Sequence, residues 1–150
     1  MKRVFFILTL VLLTSSSFAQ ILLGFADFKY NNLNYTDAIP LYKYYLLKKD
    51  STNKVVIRKL ATCYRLTSQP NLAEPLFGKL TKLDSNWSDI VNYAEMLMIN
   101  KKYDTVFRFV NRSDIDAKKE PRLVKISNSI QHMNDLTTLD TGNVRIAFAF

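Results

Sequence analysis

The chain is poor in residues that carry covalent chemistry. It holds one histidine, His132, and one cysteine, Cys63. Hydrolytic triads and most transition-metal sites lean on histidine. Asp135, three residues on, could share a helix face with His132, but the default for His132 is a surface histidine. Cys63 has no histidine near it and reads as a small core residue. With three glycines, Gly24, Gly78 and Gly142, a phosphate cradle is hard to build, and neither an H-E-x-x-H pair nor an EF-hand loop is present. Asp114 and Asp116 pair only within a linker. No catalytic residue, metal or cofactor is therefore expected. What the sequence does offer is binding chemistry. Arg58, Thr62 and Arg65 stand at i, i+4 and i+7, on one helical face, and two guanidiniums there suit a carboxylate or an acidic peptide. Tyr42, Tyr44 and Tyr45 form a tyrosine-rich stretch that divides evenly between an interface reading and a core-plus-rim reading. Asn34-Tyr35-Thr36, Asn86-Trp87-Ser88 and Asn111-Arg112-Ser113 have the spacing of glycosylation acceptors, which an Asn- and Ser-rich chain produces by chance.

The elements that must position these residues follow from an internal repeat. Ala26, Ala61 and Ala94 are spaced by 35 and 33, and so are Ala38, Ala73 and Val106. Within each repeat the two small residues lie twelve apart, one on each helix of a hairpin, and let those helices approach closely. Tyr42 and Phe77 follow four positions later and fill the next layer. Tyr64 and Tyr103 complete the expected repeat packing. Turn-forming stretches 30–34, 67–71 and 100–102 separate the helices of each hairpin, and polar stretches 49–53, 83–86 and 111–114 separate the repeats. Helices are expected over 21–31, 35–48, 54–67, 71–82, 87–99, 103–111 and 120–135. Pro40 and Pro75 are placed early in their helices, where proline is tolerated best, and Pro121 suits a helix start. One hairpin cannot bury its apolar face alone, so the hairpins are expected to stack. Val144, Ile146, Phe148 and Phe150 alternate with Arg145, Ala147 and Ala149, a strand-like pattern.

The N-terminus speaks to compartment. Lys2-Arg3 precede an apolar run from Val4 to Leu13, and Ser17-Phe18-Ala19 is a small-x-small triplet. This pattern reads as a secretory signal peptide cleaved after Ala19. The apolar run spans only about half a bilayer core; an uncleaved anchor running on through Leu23 is the competing reading. Removing Lys2 and Arg3 leaves 19 basic and 13 acidic side chains of the original 21 and 13. A net charge of +6 on an exported chain favours acidic protein surfaces, anionic head groups or cell-wall polymers over nucleic acid. A lone cysteine rules out an intrachain disulfide scaffold, and Gln20 stands where a bacterial lipoprotein would need its lipidated cysteine. The organisation expected is a signal peptide over 1–19, helical repeats over 20–116, a capping helix over 117–138 and a strand-like tail over 139–150.

The columns twelve apart, the aromatics around them and the mean period of 34 resemble the tetratricopeptide repeat. Asn34-Tyr35-Thr36-Asp37-Ala38 and Tyr103-Asp104-Thr105-Val106 match its second-helix opening, and Ala61-Thr62-Cys63-Tyr64 the end of its first helix. Leu33 and Lys101 stand where glycine is frequent, Tyr45 replaces a later alanine, and Asp50 and Ser85 replace a terminal proline. The resemblance implies an all-α fold, a right-handed superhelical stack of about three helix-turn-helix repeats, with first helices lining a concave face. On that face it places Asp27 and Tyr30 in repeat one, Arg58, Thr62 and Arg65 in repeat two, and Glu95 in repeat three, as partner-binding residues. The whole layout is similar to the N-terminal region of OmpA-family envelope proteins of Bacteroidetes-type bacteria, where such repeats precede a β-propeller-like and an OmpA-like domain; some of those proteins serve type IX secretion. That similarity implies the adaptor region of a longer protein, periplasmic or outer-membrane-associated, that binds envelope proteins. Binding of cell wall or polysaccharide is the alternative suggested by the basic charge and the tyrosines.

Overall fold

A computed structural model describes residues 18–84, 86–112, 115 and 119–133. Every extended regular element among them is an α-helix. We label these α1 (18–31), α2 (Tyr35–Lys48), α3 (Lys54–Leu66), α4 (Pro70–Leu83), α5 (Trp87–Ile99), α6 (Tyr103–Val110) and α7 (121–133). The fold is thus all-α, and the seven helices fall where the repeat places them. The strand-like stretch 143–150, Asp135, Asp114 and Asp116 lie outside the described residues.

Three hairpin turns have the same construction. Leu33, Ser68 and Lys101 adopt left-handed backbone conformations, with φ of 60°, 57° and 58°, and repeat the spacing of 35 and 33. Each donates its N–H three residues back, to the carbonyls of Tyr30, Arg65 and Met98. The next residue donates five back: Asn34 to Lys29 at 2.9 Å, Gln69 to Tyr64 at 2.8 Å and Lys102 to Leu97 at 2.9 Å. This pair of bonds closes a helix C-terminus by satisfying its last carbonyls. Asn34, Gln69 and Lys102 also stand at the N-caps of the following helices, so one residue ends one helix and opens the next. Asn53 and Asn86 cap the first helices of repeats two and three, accepting the N–H of Val56 at 3.1 Å and Ser88 at 2.9 Å. Asn34 and Asn86, the acceptor residues of two glycosylation-like triplets, thus work as caps.

Some local expectations need correction. Tyr30, Asn31 and Asn71 are helical, as the expected helices 21–31 and 71–82 have them; the first two turns close in three residues, 32–34 and 67–69, and not in the five of the stretches 30–34 and 67–71. α4 opens at Pro70, whose missing N–H is no loss at the first helical position. Pro40 and Pro75 lie inside α2 and α4, at the sixth residue of each, not in the first turn. Their rings remove the donor that the carbonyls of Thr36 and Asn71 would take; both residues are exposed, so water can serve those carbonyls. Tyr103 is 39% exposed and not part of the packing. It is the first residue of α6, where no preceding turn covers it.

The chain divides into two compact units, 1–85 and 86–150. In the first, α3 packs against both α2 and α4. Ala26, Ala38, Ala61, Ala73, Tyr42 and Phe77 are fully buried and Tyr64 nearly so, as the columns require. Tyr45 joins the core while Tyr44 stays on the rim. In the second, Ile90, Val91, Ala94 and Leu97 of α5 form one core with Val106, Phe109 and Val110 of α6 and with Leu123 and Ile130 of α7. The Tyr93 and Phe109 rings meet edge to face at 4.8 Å, a favoured aromatic geometry. Leu123, Ile126 and Ile130 follow Ile90, Tyr93 and Leu97 by 33, so α7 carries the pattern of a further first helix rather than an unrelated cap.

Candidate binding face

Asp27, Thr62 and Glu95 hold the same register in their repeats, each directly after its repeat's buried alanine, and Tyr30, Arg65 and Met98 stand three residues further on. All six residues expected on the exposed face are half-buried, and four of them are already engaged within the chain.

Asp27 and Tyr30 of α1 are drawn together with residues of α2 and α3. The Asp27 Oδ1 accepts the Tyr42 hydroxyl at 2.6 Å and the Lys59 ammonium at 2.8 Å. Burial first, and then the Asp27 carboxylate, push the Tyr42 hydroxyl far above its ordinary pKa. Tyr30 stands edge-on to Tyr35 at 5.5 Å and to Tyr42 at 6.3 Å, with the Lys59 ammonium 5.9 Å from its ring centroid. This cluster joins three helices, which makes it a clamp between repeats one and two. Lys59 was invisible as a site residue in the sequence. Its partner lies 32 positions away, and only the repeat spacing hints that they meet.

Along α3 the three expected residues do share a face, but unequally. Arg58 lies 3.9 Å from the Asp84 carboxylate, which also takes Lys54 at 3.4 Å. Such part-exposed pairs contribute little to stability. Thr62 is half-buried one turn on. Arg65 differs: its Nε is buried and has no hydrogen-bond partner among the described residues. An unsatisfied buried donor costs about 1–3 kcal/mol, so this group calls for a physical reason. Glu95, in the second unit, is held by Arg122 of α7 through a guanidinium contact whose Nε lies at 3.0 Å.

No protein-family model matches the chain. No curated protein matches it either.

Cys63 is a free, fully buried thiol, and burial pushes it up to about 11, so it is neutral at physiological pH. His132 is exposed on α7. Among the described residues no three His, Cys, Asp or Glu side chains group as a metal site, and no helix is long and apolar enough to cross a membrane. On α3 the chain presents a half-buried guanidinium with an unfilled donor, flanked by a threonine hydroxyl and a second arginine.

Proposed function

We propose that this chain is a non-catalytic interaction scaffold of the bacterial cell envelope, which takes acidic segments of partner proteins on the Arg58–Thr62–Arg65 face of α3. Superhelical stacking of the hairpins would align the first helices into the concave surface on which such a segment lies. The buried, unpartnered Nε of Arg65 carries the reading. Turning the guanidinium outward onto a carboxylate delivered by a partner would satisfy that donor in a charge-assisted bond. The neighbouring cations, Lys59 and Arg58, already have Asp27 and Asp84, which supports Arg65 as the group that takes the ligand. Export fits the Lys2-Arg3, Val4 to Leu13 and Ser17-Phe18-Ala19 pattern, and an acidic partner fits the basic charge.

Arg65→Gln separates binding from folding. Loss of one charge-assisted bond weakens capture of a short Glu-rich peptide about tenfold or more. The melting temperature holds or rises, because the variant no longer buries part of a charge. Peptide affinity unchanged in Arg65→Gln removes the proposed face. Retention on purified cell wall without any peptide binding would favour the polysaccharide reading instead.

A further inference from the structure

α1 presents an apolar stripe that is largely uncovered among the described residues, with Phe18 alone meeting a ring, Tyr44, edge-on at 6.4 Å. Phe18, Ile21, Phe25 and Phe28 are 55, 58, 59 and 62% exposed, at spacings of 3, 4 and 3, which is one line along a helix. The positions 35 later than Ile21, Phe25 and Phe28 are Val56, Leu60 and Cys63 of α3, and all three are buried. Both helices pack against the second helix of their own hairpin, but α3 also has α2 against it. The stripe is therefore the face that repeat two buries against repeat one, and its shape is suited to a helix of this fold.

We infer that this face pairs with the same face of a second copy of the chain, α1 against α1 in antiparallel orientation about a two-fold axis. The 3-4-3 spacing is the seam of a two-helix coiled coil. Ile21 and Phe28 lie equally far from the midpoint between Gly24 and Phe25, so the two-fold sets Ile21 of each copy against Phe28 of the other. Gly24 falls at the axis, where a Cβ would have nothing within 4 Å and two backbones can approach closely.

Charge selects this occupant over others. Residues 18–31 contain two ionic side chains, and both are engaged in the chain: Asp27 with Lys59 at 2.8 Å and Lys29 with Asp37 at 3.1 Å. An anionic membrane surface calls for lysines and arginines beside the apolar stripe, and an acidic partner calls for the same. A neutral, self-complementary helix needs neither, and two copies bring no unpaired like charges together. Phe18 precedes the expected cleavage point, so the pairing rests on Ile21, Phe25 and Phe28. At these exposures each offers about 100 Å². The two copies together then bury roughly 600 Å² from these side chains, below the ~1,200 Å² of stable complexes, so the dimer depends on concentration.

Sedimentation of the purified chain from low-micromolar to near-millimolar concentration tests this. The expected result is a monomer–dimer equilibrium that Phe25→Glu abolishes while the helical melting curve stays unchanged. Phe25→Cys, near the axis, should form an intermolecular disulfide about tenfold faster than Leu47→Cys, an exposed position on α2. A chain that stays monomeric throughout overturns the inference, including the case where residues 1–17 or another protein cover the stripe. A dimer that survives Phe25→Glu overturns it as well.

Discussion

Cys63 is a cysteine placed for packing. Its thiol lies in the position that faces the preceding repeat, and burial raises it from an ordinary 9.0 to about 11. The fold favours the neutral form. The stability this contributes is complete below pH 9 and is lost as pH rises through about 11. Melting temperature should fall across that window, and Cys63→Ala should flatten the fall. A maleimide reagent at neutral pH should label Cys63 slowly in the native chain and rapidly in urea; equal rates would contradict its burial. The arginine face was readable at this scale, because Arg58, Thr62 and Arg65 need only helical periodicity to meet. The fates of Asp27, Arg58 and Glu95 were not readable. Asp27 is taken by Lys59, Glu95 by Arg122, and Arg58 shares the Asp84 carboxylate with Lys54; such pairings depend on which helices pack, not on local spacing.

At the scale of the element, the turns carry the stored cost. Leu33, Ser68 and Lys101 hold left-handed conformations that are unfavourable for residues with a Cβ. Replacing any one by glycine relieves that strain, so Leu33→Gly, Ser68→Gly and Lys101→Gly should each stabilise the chain by about 1 kcal/mol in urea unfolding. No gain in any of the three would mean the turns are built differently. The absence of glycine at two of these positions was visible in the sequence as a departure from the repeat, and the structure shows why glycine is frequent there. Helix positions were legible because alanine columns and polar turns mark them twice over. Pro40 and Pro75 misled although the helix starts were legible, because the sixth residue of a helix lies near its start yet already falls within the i to i−4 hydrogen-bond ladder. Tyr103 misled because aromatic type was read as burial, while a first-turn position lacks the neighbours that bury a ring. α7 looked like a generic cap; its Leu123–Ile126–Ile130 pattern emerges only when set 33 residues after α5.

For the whole molecule, the two units, 1–85 and 86–150, share one repeat grammar. The first holds both the arginine face and the α1 stripe. If the stripe pairs two copies, each dimer offers two α3 faces, and a partner with two acidic segments would gain avidity without any new contact. Export, the basic charge and the arginine face then belong to one proposal: an envelope scaffold that gathers acidic partners. The most direct test is a photo-crosslinking residue at position 62, between Arg58 and Arg65, in the full chain produced in its own cell. The expected result is a discrete crosslink to an acidic segment of an envelope protein that disappears when Arg65→Gln is added. Crosslinks only to cell-wall fragments, none at all, or a protein crosslink indifferent to Arg65→Gln would contradict it.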